Sequence, residues 1–430
     1  MGDPKDLLIN KNILIYGLGK SGIAVFNFLK KKNNLNIFDD NKNFFLKKKK
    51  IFCIKSNQIL KKKFDYIFLS PGININKCSL SKYLLKNKSI IISELDIFQL
   101  SYPLNKKITI TGTNGKSTTS KLVYELIRSK IKDVRLVGNI GNPILNEKNV
   151  KTDTMFVIEA SSYQIDYSKY FYSNYSIILN LSPDHLERHG SFKNYIKAKF
   201  KLILNQKKNS YAFIENNNKA LNTLINRNKI NSKVIKVDYK KFLNLRKKIT
   251  NNYFNNISNL KNLSFAISLC LIFKVNKNSL FKIINKFKGL KFRQQIIYKK
   301  KNITIINDSK STSFSSTIPL LKSYKNIYWL VGGLPKKGDV FDLPPKYFKE
   351  VKAYLYGKNL NFFISKFKKK INYKKSIFLN QAINLLFKDI KKITDKKIII
   401  LFSPSAASFD QFKNFEERGN YFNKLIKSKL

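Results

Sequence analysis

The sequence predicts an α/β protein made of three successive strand–helix domains. Three observations lead there. At 430 residues, 43% of them hydrophobic, the chain is too long for one ordinary core and has ample apolar side chains to bury. Short apolar runs of strand length repeatedly end in glycine- or serine-containing polar loops. The strand–helix alternation restarts twice, which divides the chain into 1–97, 98–288 and 289–430. No Pro- or Gly-rich linker marks those boundaries, and no internal repeat is evident.

The first segment opens with the buried-strand pattern Ile13–Tyr16, the turn Gly17-Leu18-Gly19-Lys20-Ser21-Gly22 and an apolar helix through Leu29. A second strand, Ile37-Phe38, ends in Asp39 and Asp40. A glycine turn onto a helix N-terminus, with an acidic residue some twenty positions on to bond a ribose, is the dinucleotide fingerprint. Alone it is a weak signal, and NAD remains open. Ile67–Leu69 leads into Ser70-Pro71-Gly72, a further loop at a strand's carboxyl end, where ligands of open α/β sheets sit.

The second segment carries the sharpest signal. Ile108 and Ile110 alternate with Thr109 and Thr111 as a strand; Gly112-Thr113-Asn114-Gly115 turns the backbone; Lys116-Ser117-Thr118 opens a helix with Leu122, Val123, Leu126 and Ile127 at helical spacing. Such a turn lets backbone N–H groups close on an anion, adds the positive end of a helix and aims a lysine at the terminal phosphates. Ser117 or Thr118 can offer a hydroxyl to Mg²⁺. The spacing is not that of the common P-loop, because Ile110 stands where its first glycine belongs. The expected ligand is a nucleoside triphosphate. A surface turn that merely carries a lysine is the plainer alternative.

Further along, Met155–Ile158 and Ile177–Leu181 read as strands that end in Glu159 and in Asp184-His185. The chain has two histidines, His185 and His189, both in one decapeptide, which points to chemistry there. A carboxylate and an imidazole at neighbouring strand ends can hold a second Mg²⁺. Helices are expected over 194–206 and 258–288. The third segment offers strands at Ile303–Ile306, Tyr328–Val331 and Ile398–Phe402, a closing helix from Phe412 to about Lys429, and polar loops at 307–312, 332–337 and 403–410.

Composition sets limits. Lysine and arginine total 83 against 26 acidic residues, a net charge of +57, which nominally suggests nucleic acid. The lysines are spread along the whole chain, in runs such as Lys47–Lys50 and Lys61–Lys63, together with abundant Asn, Ile, Phe and Tyr. That pattern reads as base-composition drift on an ordinary fold, with no specific nucleic-acid partner. Three scattered cysteines without metal or redox spacing fit a reducing cytosol. No apolar run reaches membrane-spanning length, and no signal peptide is expected at the N-terminus. A basic nucleic-acid-binding NTPase and a nicotinamide oxidoreductase remain as readings from other classes.

From about residue 11 to the C-terminus the chain resembles the Mur ligase family. The resemblance rests on Thr111–Thr119, Glu159-Ala-Ser-Ser-Tyr-Gln164, Ser182-Pro-Asp-His-Leu-Glu-Arg188, Asn307-Asp-Ser-Lys-Ser-Thr312 and Ser403–Phe415. The last two segments resemble those of members that add D-glutamate to UDP-N-acetylmuramoyl-L-alanine; relatives that add another amino acid, or that extend folate, are the nearest alternatives. The resemblance implies a monomeric cytoplasmic ligase for peptidoglycan precursors, acting through an acyl phosphate with ATP and two Mg²⁺. It assigns the phosphates and first metal to Gly112–Thr118, the second metal to Glu159, His185 and a carbamylated Lys199, and nucleoside contacts to Asn262, Arg293 and Asp308. Lys310, Thr312, Lys336, Ser408 and Phe415 match the D-glutamate pocket. Lys20, Ser21, Asp39 and Ser70 would bind UDP in place of NAD, with Asn139 and Ser161 nearer the sugar and peptide. Phe292 and Ser258 stand where the family usually has histidines.

Overall fold

The structure is a computed structural model and describes residues 7–41, 52–300, 302–336, 338–368, 370–391 and 396–430. The run Lys47–Lys50 and Lys337 lie outside the described residues. The chain forms two compact units, Met1–Asp238 with Phe265–Val275, and Tyr239–Ser264 with Asn276–Leu430.

The first unit holds two sheets. The first joins β1 (Asn12–Tyr16), β2 (Asn34–Phe38), β3 (Tyr66–Leu69) and β4 (Ile91–Ile92) in the order β2-β1-β3-β4, all parallel. Successive side chains of a strand face opposite ways. Ile13 and Ile15 therefore enter one core cluster while Leu14 and Tyr16 enter another, so the sheet is buried on both faces. The second sheet contains β5 (Lys107–Thr111), β6 (Val134–Gly138), β7 (Met155–Glu159), β8 (Tyr175–Ile178), β9 (Tyr211–Glu215) and β10 (Lys233–Val237). Its order is β10-β9-β8-β5-β7-β6, again parallel throughout. The two layers share apolar packing, for instance Phe98 edge-on to Phe156 at 4.8 Å.

The second unit contains β11 (Gln295–Lys300), β12 (Ile303–Asn307), β13 (Ile327–Gly332), β14 (Val351–Tyr356), β15 (Asn372–Lys375) and β16 (Ile398–Phe402), in the order β11-β12-β16-β13-β14-β15. Only the β11–β12 hairpin is antiparallel. Ile306, Trp329 and Leu401 pack on one face and Ile305, Leu330 and Phe402 on the other, so helices cover both.

Three expected elements are shorter than their apolar patterns. β8 stops at Ile178, and Asn180 instead bonds the loop after β5 through both its backbone and its side chain. The stretch 258–288 is two helices, Ile257–Ile272 and Lys277–Lys286. Lys274 adopts φ 49°, and the Asn276 side chain accepts from the N–H groups of Asn278 and Ser279 to cap a new start. The last helix begins at Phe415, because Asn414 accepts from the Glu417 N–H and holds extended backbone. Among the described residues no helix is long and apolar enough to cross a membrane.

Candidate active site

β5 lies inside the second sheet between β7 and β8, so Thr111 delivers its loop at the sheet's carboxyl edge. Gly112 has φ 150° and Gly115 φ 85°, the latter as N-cap of the helix Lys116–Ile127; only glycine takes such angles cheaply. The loop is fixed from outside. The Thr113 N–H donates to the Asn180 carbonyl at 2.9 Å, the Asn114 N–H to Asn180 Oδ1 at 2.8 Å, and Asn180 Nδ2 returns a bond to the Asn114 carbonyl at 2.9 Å. Thr113 Oγ1 meets the Tyr195 hydroxyl at 3.0 Å. The Lys116 ammonium folds over this loop and donates to the carbonyls of Gly112 and Thr113 at 2.9 and 2.8 Å. Ser117 and Thr118 are buried in the first helical turn. The expected phosphate cradle thus has strand, turn, lysine and helix end in the predicted order.

Glu159 ends β7 beside Ile110 of β5 and is 4% exposed, with Oε2 buried and without a hydrogen-bond partner. Gly138 packs against it so closely that a Cβ would come 2.3 Å from the Glu159 carbonyl oxygen. Lys199, from the helix Phe192–Leu204, is 1% exposed and donates to Thr111 Oγ1 and the Gly112 carbonyl, each at 3.1 Å. Burial, with the Lys116 ammonium close by, pushes its amine well below the ordinary lysine value, against the pull of the Asp184 and Glu159 carboxylates. Lys116, Glu159, Asp184 and Lys199 therefore occupy one neighbourhood. His185 caps the short helix Leu186–His189 at φ 55°, with Nε2 3.4 Å from Asp184 and its ring 5.0 Å from that of Tyr163. His189, which the sequence also singled out, bonds Ser162 Oγ at 3.0 Å and stacks on Tyr163.

Among the described residues no three His, Cys, Asp or Glu side chains are grouped to hold a metal by themselves. The donor set nevertheless fits Mg²⁺. A dry carboxylate oxygen without a hydrogen-bond partner, on the strand beside the one that leads to the buried Ser117, is a hard-oxygen donor whose fellow ligands would be phosphate and water.

In the first sheet, Lys20 and Ser21 open the helix Lys20–Leu29 after Gly19. Asp39 follows β2 and accepts from the Leu18 N–H at 2.7 Å and the Asn41 N–H at 2.9 Å, so its carboxylate shapes the glycine turn. Ser70 is buried against Gly17, where a Cβ would approach Ser70 Cβ to 2.6 Å. Ser161 caps the helix Ser162–Tyr167 and bonds Gln164; Gln164 Nε2 donates to the buried Glu94, which also bonds Ser21. This carboxyl link between the two sheets is a feature the sequence reading missed; the capping serine before Glu94 was its one local signal. Asn139 is exposed, with its N–H on the Glu159 carbonyl at 3.1 Å.

In the second unit, Asn262 is buried in the helix Ile257–Ile272. Asp308 follows β12 and accepts from the Gln294 N–H at 3.0 Å and from Ser403 Oγ at 2.9 Å. Burial pushes its carboxyl up to about 7, opposed by those bonds and by Arg293 and Arg418. Phe292, in place of the usual histidine, is buried at φ 61° and packs on Gly419 and Phe415. Ser258 is half-buried beside the buried Asn259, whose side chain bonds the Tyr253 carbonyl. The Lys310 ammonium lies 3.8 Å over the Phe415 ring. Ser408 is buried at the end of the 403–408 loop, Thr312 lies half-buried beyond Ser311, and Lys336 follows Leu334, which pairs with Ala407. Lys310 and Phe415 are thus in contact, and the loop that ends in Ser408 is bonded to Asp308 through Ser403.

A cradle for a polyphosphate, a dry carboxylate and a buried lysine at parallel-sheet edges define an α/β nucleotide-dependent enzyme. A family model described as the Mur ligase middle domain matches residues 110–285. The UDP-N-acetylmuramoylalanine–D-glutamate ligase of Rickettsia bellii is 34% identical over 96% of this chain and 97% of its own. The ligase of the same name from Wolbachia sp. subsp. Brugia malayi is 32% identical over 97% and 96%. Among solved structures, UDP-N-acetylmuramate-alanine ligase MurC of Thermotoga maritima superposes with a TM-score of 0.56 at 16% identity, over 98% of this chain and 100% of its own. MurF ligase of the same organism, solved with ADP, gives 0.54 at 14% identity, over 99% and 100%. The chain belongs to the Mur ligase family and is an ATP-dependent amide ligase.

Proposed function

We propose that this ligase adds D-glutamate to UDP-N-acetylmuramoyl-L-alanine in the cytoplasm, as a monomer, to build a peptidoglycan precursor. The full-length similarity to ligases of that name is the single observation that carries the choice of amino acid. Residues 1–97 would take the UDP moiety through Lys20, Ser21, Asp39 and Ser70, residues 98–288 ATP, and residues 289–430 the amino acid. Asn139 and Ser161 would face the sugar and peptide, and Asn262, Arg293 and Asp308 the nucleoside.

In the reaction, the terminal phosphoryl of ATP passes to the acceptor carboxylate. The D-glutamate amine then attacks the acyl phosphate, and the tetrahedral adduct expels phosphate. This chemistry needs alignment and charge neutralisation more than acid–base groups. Lys116 supplies a cation at the phosphate loop, and the first-turn N–H groups of the helix at Ser117 and Thr118 hold the anion. Bound Mg²⁺, on Ser117 and on Glu159 with His185, would neutralise the phosphates and the developing negative charge. The burial of Lys199 shifts its amine toward the neutral, nucleophilic form. Its reaction with CO₂ would form an N–C bond and release one proton, leaving a carbamate anion that would offer a further oxygen to the metal held by Glu159. Lys310, Thr312, Lys336, Ser408 and Phe415 would seat D-glutamate.

Phosphate release is the test, with the UDP-sugar acceptor and D-Glu, L-Ala, L-Lys or diaminopimelate offered in turn. Release with D-Glu alone is the expected result. Equal release with another amino acid moves the chain to a different member of the family, and hydrolysis driven by RNA in place of the acceptor removes the reading.

A further inference from the structure

One charged group in the second unit is buried more completely than any substrate residue and has no place in the reaction described above. Arg418, in the helix Phe415–Lys427, is 0% exposed and is the one buried arginine among the seven in the chain. Its guanidinium hydrogen-bonds two of the three polar loops at the carboxyl edge of the third sheet and packs under the other. Nε donates to Ser309 Oγ at 3.2 Å and Nη2 to the Ser309 carbonyl at 2.7 Å, on the loop that carries Asp308 and Lys310. Nη2 also donates to the Ala406 carbonyl at 2.9 Å, on the loop that ends in Ser408. Nη1 is buried under Gly333, where a Cβ would come within 3.1 Å of it, on the loop that leads to Lys336. Ser309 Oγ in turn donates to the Phe415 carbonyl at 2.9 Å.

We propose that Arg418 is the positioning residue of the amino-acid subsite. Its planar fork ties the Ser309 and Ala406 loops together and packs under the Gly333 loop, so that Lys310, Lys336, Ser408 and Phe415 hold the incoming amino acid in fixed register. Neither Lys nor an apolar residue substitutes, because a point charge with a mobile stem cannot serve divergent carbonyls from one plane. In a chain that supplies nearly all its positive charge as lysine, an arginine here answers a geometric need. The inference rests on the proposed function only for the identity of the amino acid.

The test compares Arg418→Lys with wild type in KM for D-glutamate, ATP and the UDP acceptor, in kcat and in Tm. A KM for D-glutamate raised at least tenfold, with the other two within twofold and Tm little changed, supports the proposal. Unchanged KM for D-glutamate, or a parallel rise of all three, overturns it. Should Arg418→Lys fail to fold, Ser309→Ala removes one acceptor and the bridge to Phe415; it should raise the same KM about threefold, and no rise overturns the proposal. Wild type that ignores D-glutamate but uses another amino acid overturns the substrate assignment alone, and the KM comparison is then made with that amino acid.

Discussion

Lys199 shows how one buried side chain can be both costly and useful. An ammonium without water and beside Lys116 is disfavoured, so folding shifts this amine toward its neutral form. With ¹³C-labelled bicarbonate, wild type should show a carbamate carbon resonance that Lys199→Arg lacks; identical spectra would dismiss the modification. Lys199→Ala should lose at least 100-fold in phosphate release, with partial return on adding a short carboxylate. Asp308 runs the other way. Its carboxyl titrates near 7 in the folded chain and near the ordinary aspartate value, about 3.9, in the unfolded one. Between those values the native state binds the extra proton. The stability Asp308 contributes is therefore complete below about pH 4 and is lost as pH rises toward and through 7. Thermal midpoints of wild type minus Asp308→Asn should fall across pH 4 to 8, and a difference that stays flat would falsify the assignment.

At the scale of elements, the phosphate loop is held by a neighbour more than by itself. Asn180, just past β8, clamps Asn114 from both sides. Each bond is worth about 1 kcal/mol. Asn180→Ala should raise KM for ATP about tenfold while KM for the UDP acceptor stays within twofold, as steady-state kinetics will read. Gly115→Ala forces a Cβ into φ 85° at the helix N-cap, a strain of about 1–2 kcal/mol, and should lower both Tm and ATP affinity. Gly22 meets the Gly17 carbonyl so closely that a Cβ would lie 1.9 Å from it, which is why the first helix can open directly on its strand turn.

Over the whole molecule the charge is the dominant anomaly. A net +57 spread along the chain attracts polyanions without selecting among them. Binding to heparin or RNA should weaken linearly in a log–log plot against salt, and neither should stimulate phosphate release. Stimulation that survives 0.2 M salt, a concentration of the order at which such contacts are screened, would restore the nucleic-acid reading.

The pattern of Ile and Thr before Gly112, the helix spacing after Lys116 and the acidic or histidine-bearing strand ends were legible directly, since local backbone geometry and side-chain alternation write themselves into sequence. Lys199 was not legible that way: on helix spacing alone it is a solvated lysine, and only its resemblance to a family position marked it. Asn180, Glu94 and Arg418 were invisible for a related reason. Their partners lie 66, 70 and 109 residues away, and a hydrogen bond across such a separation leaves no periodic trace. Strand ends were misjudged at Ile178 because the competing partner of Asn180 comes from another loop. By itself the sequence determined the strands that lead into the site loops, the phosphate turn with its helix, and the basic charge; strands such as β9, β10, β14 and β15 came only with the fold. Folding alone decided which amines and carboxyls lose their water and which loops are tied together, because burial and long-range pairing are properties of the packed chain.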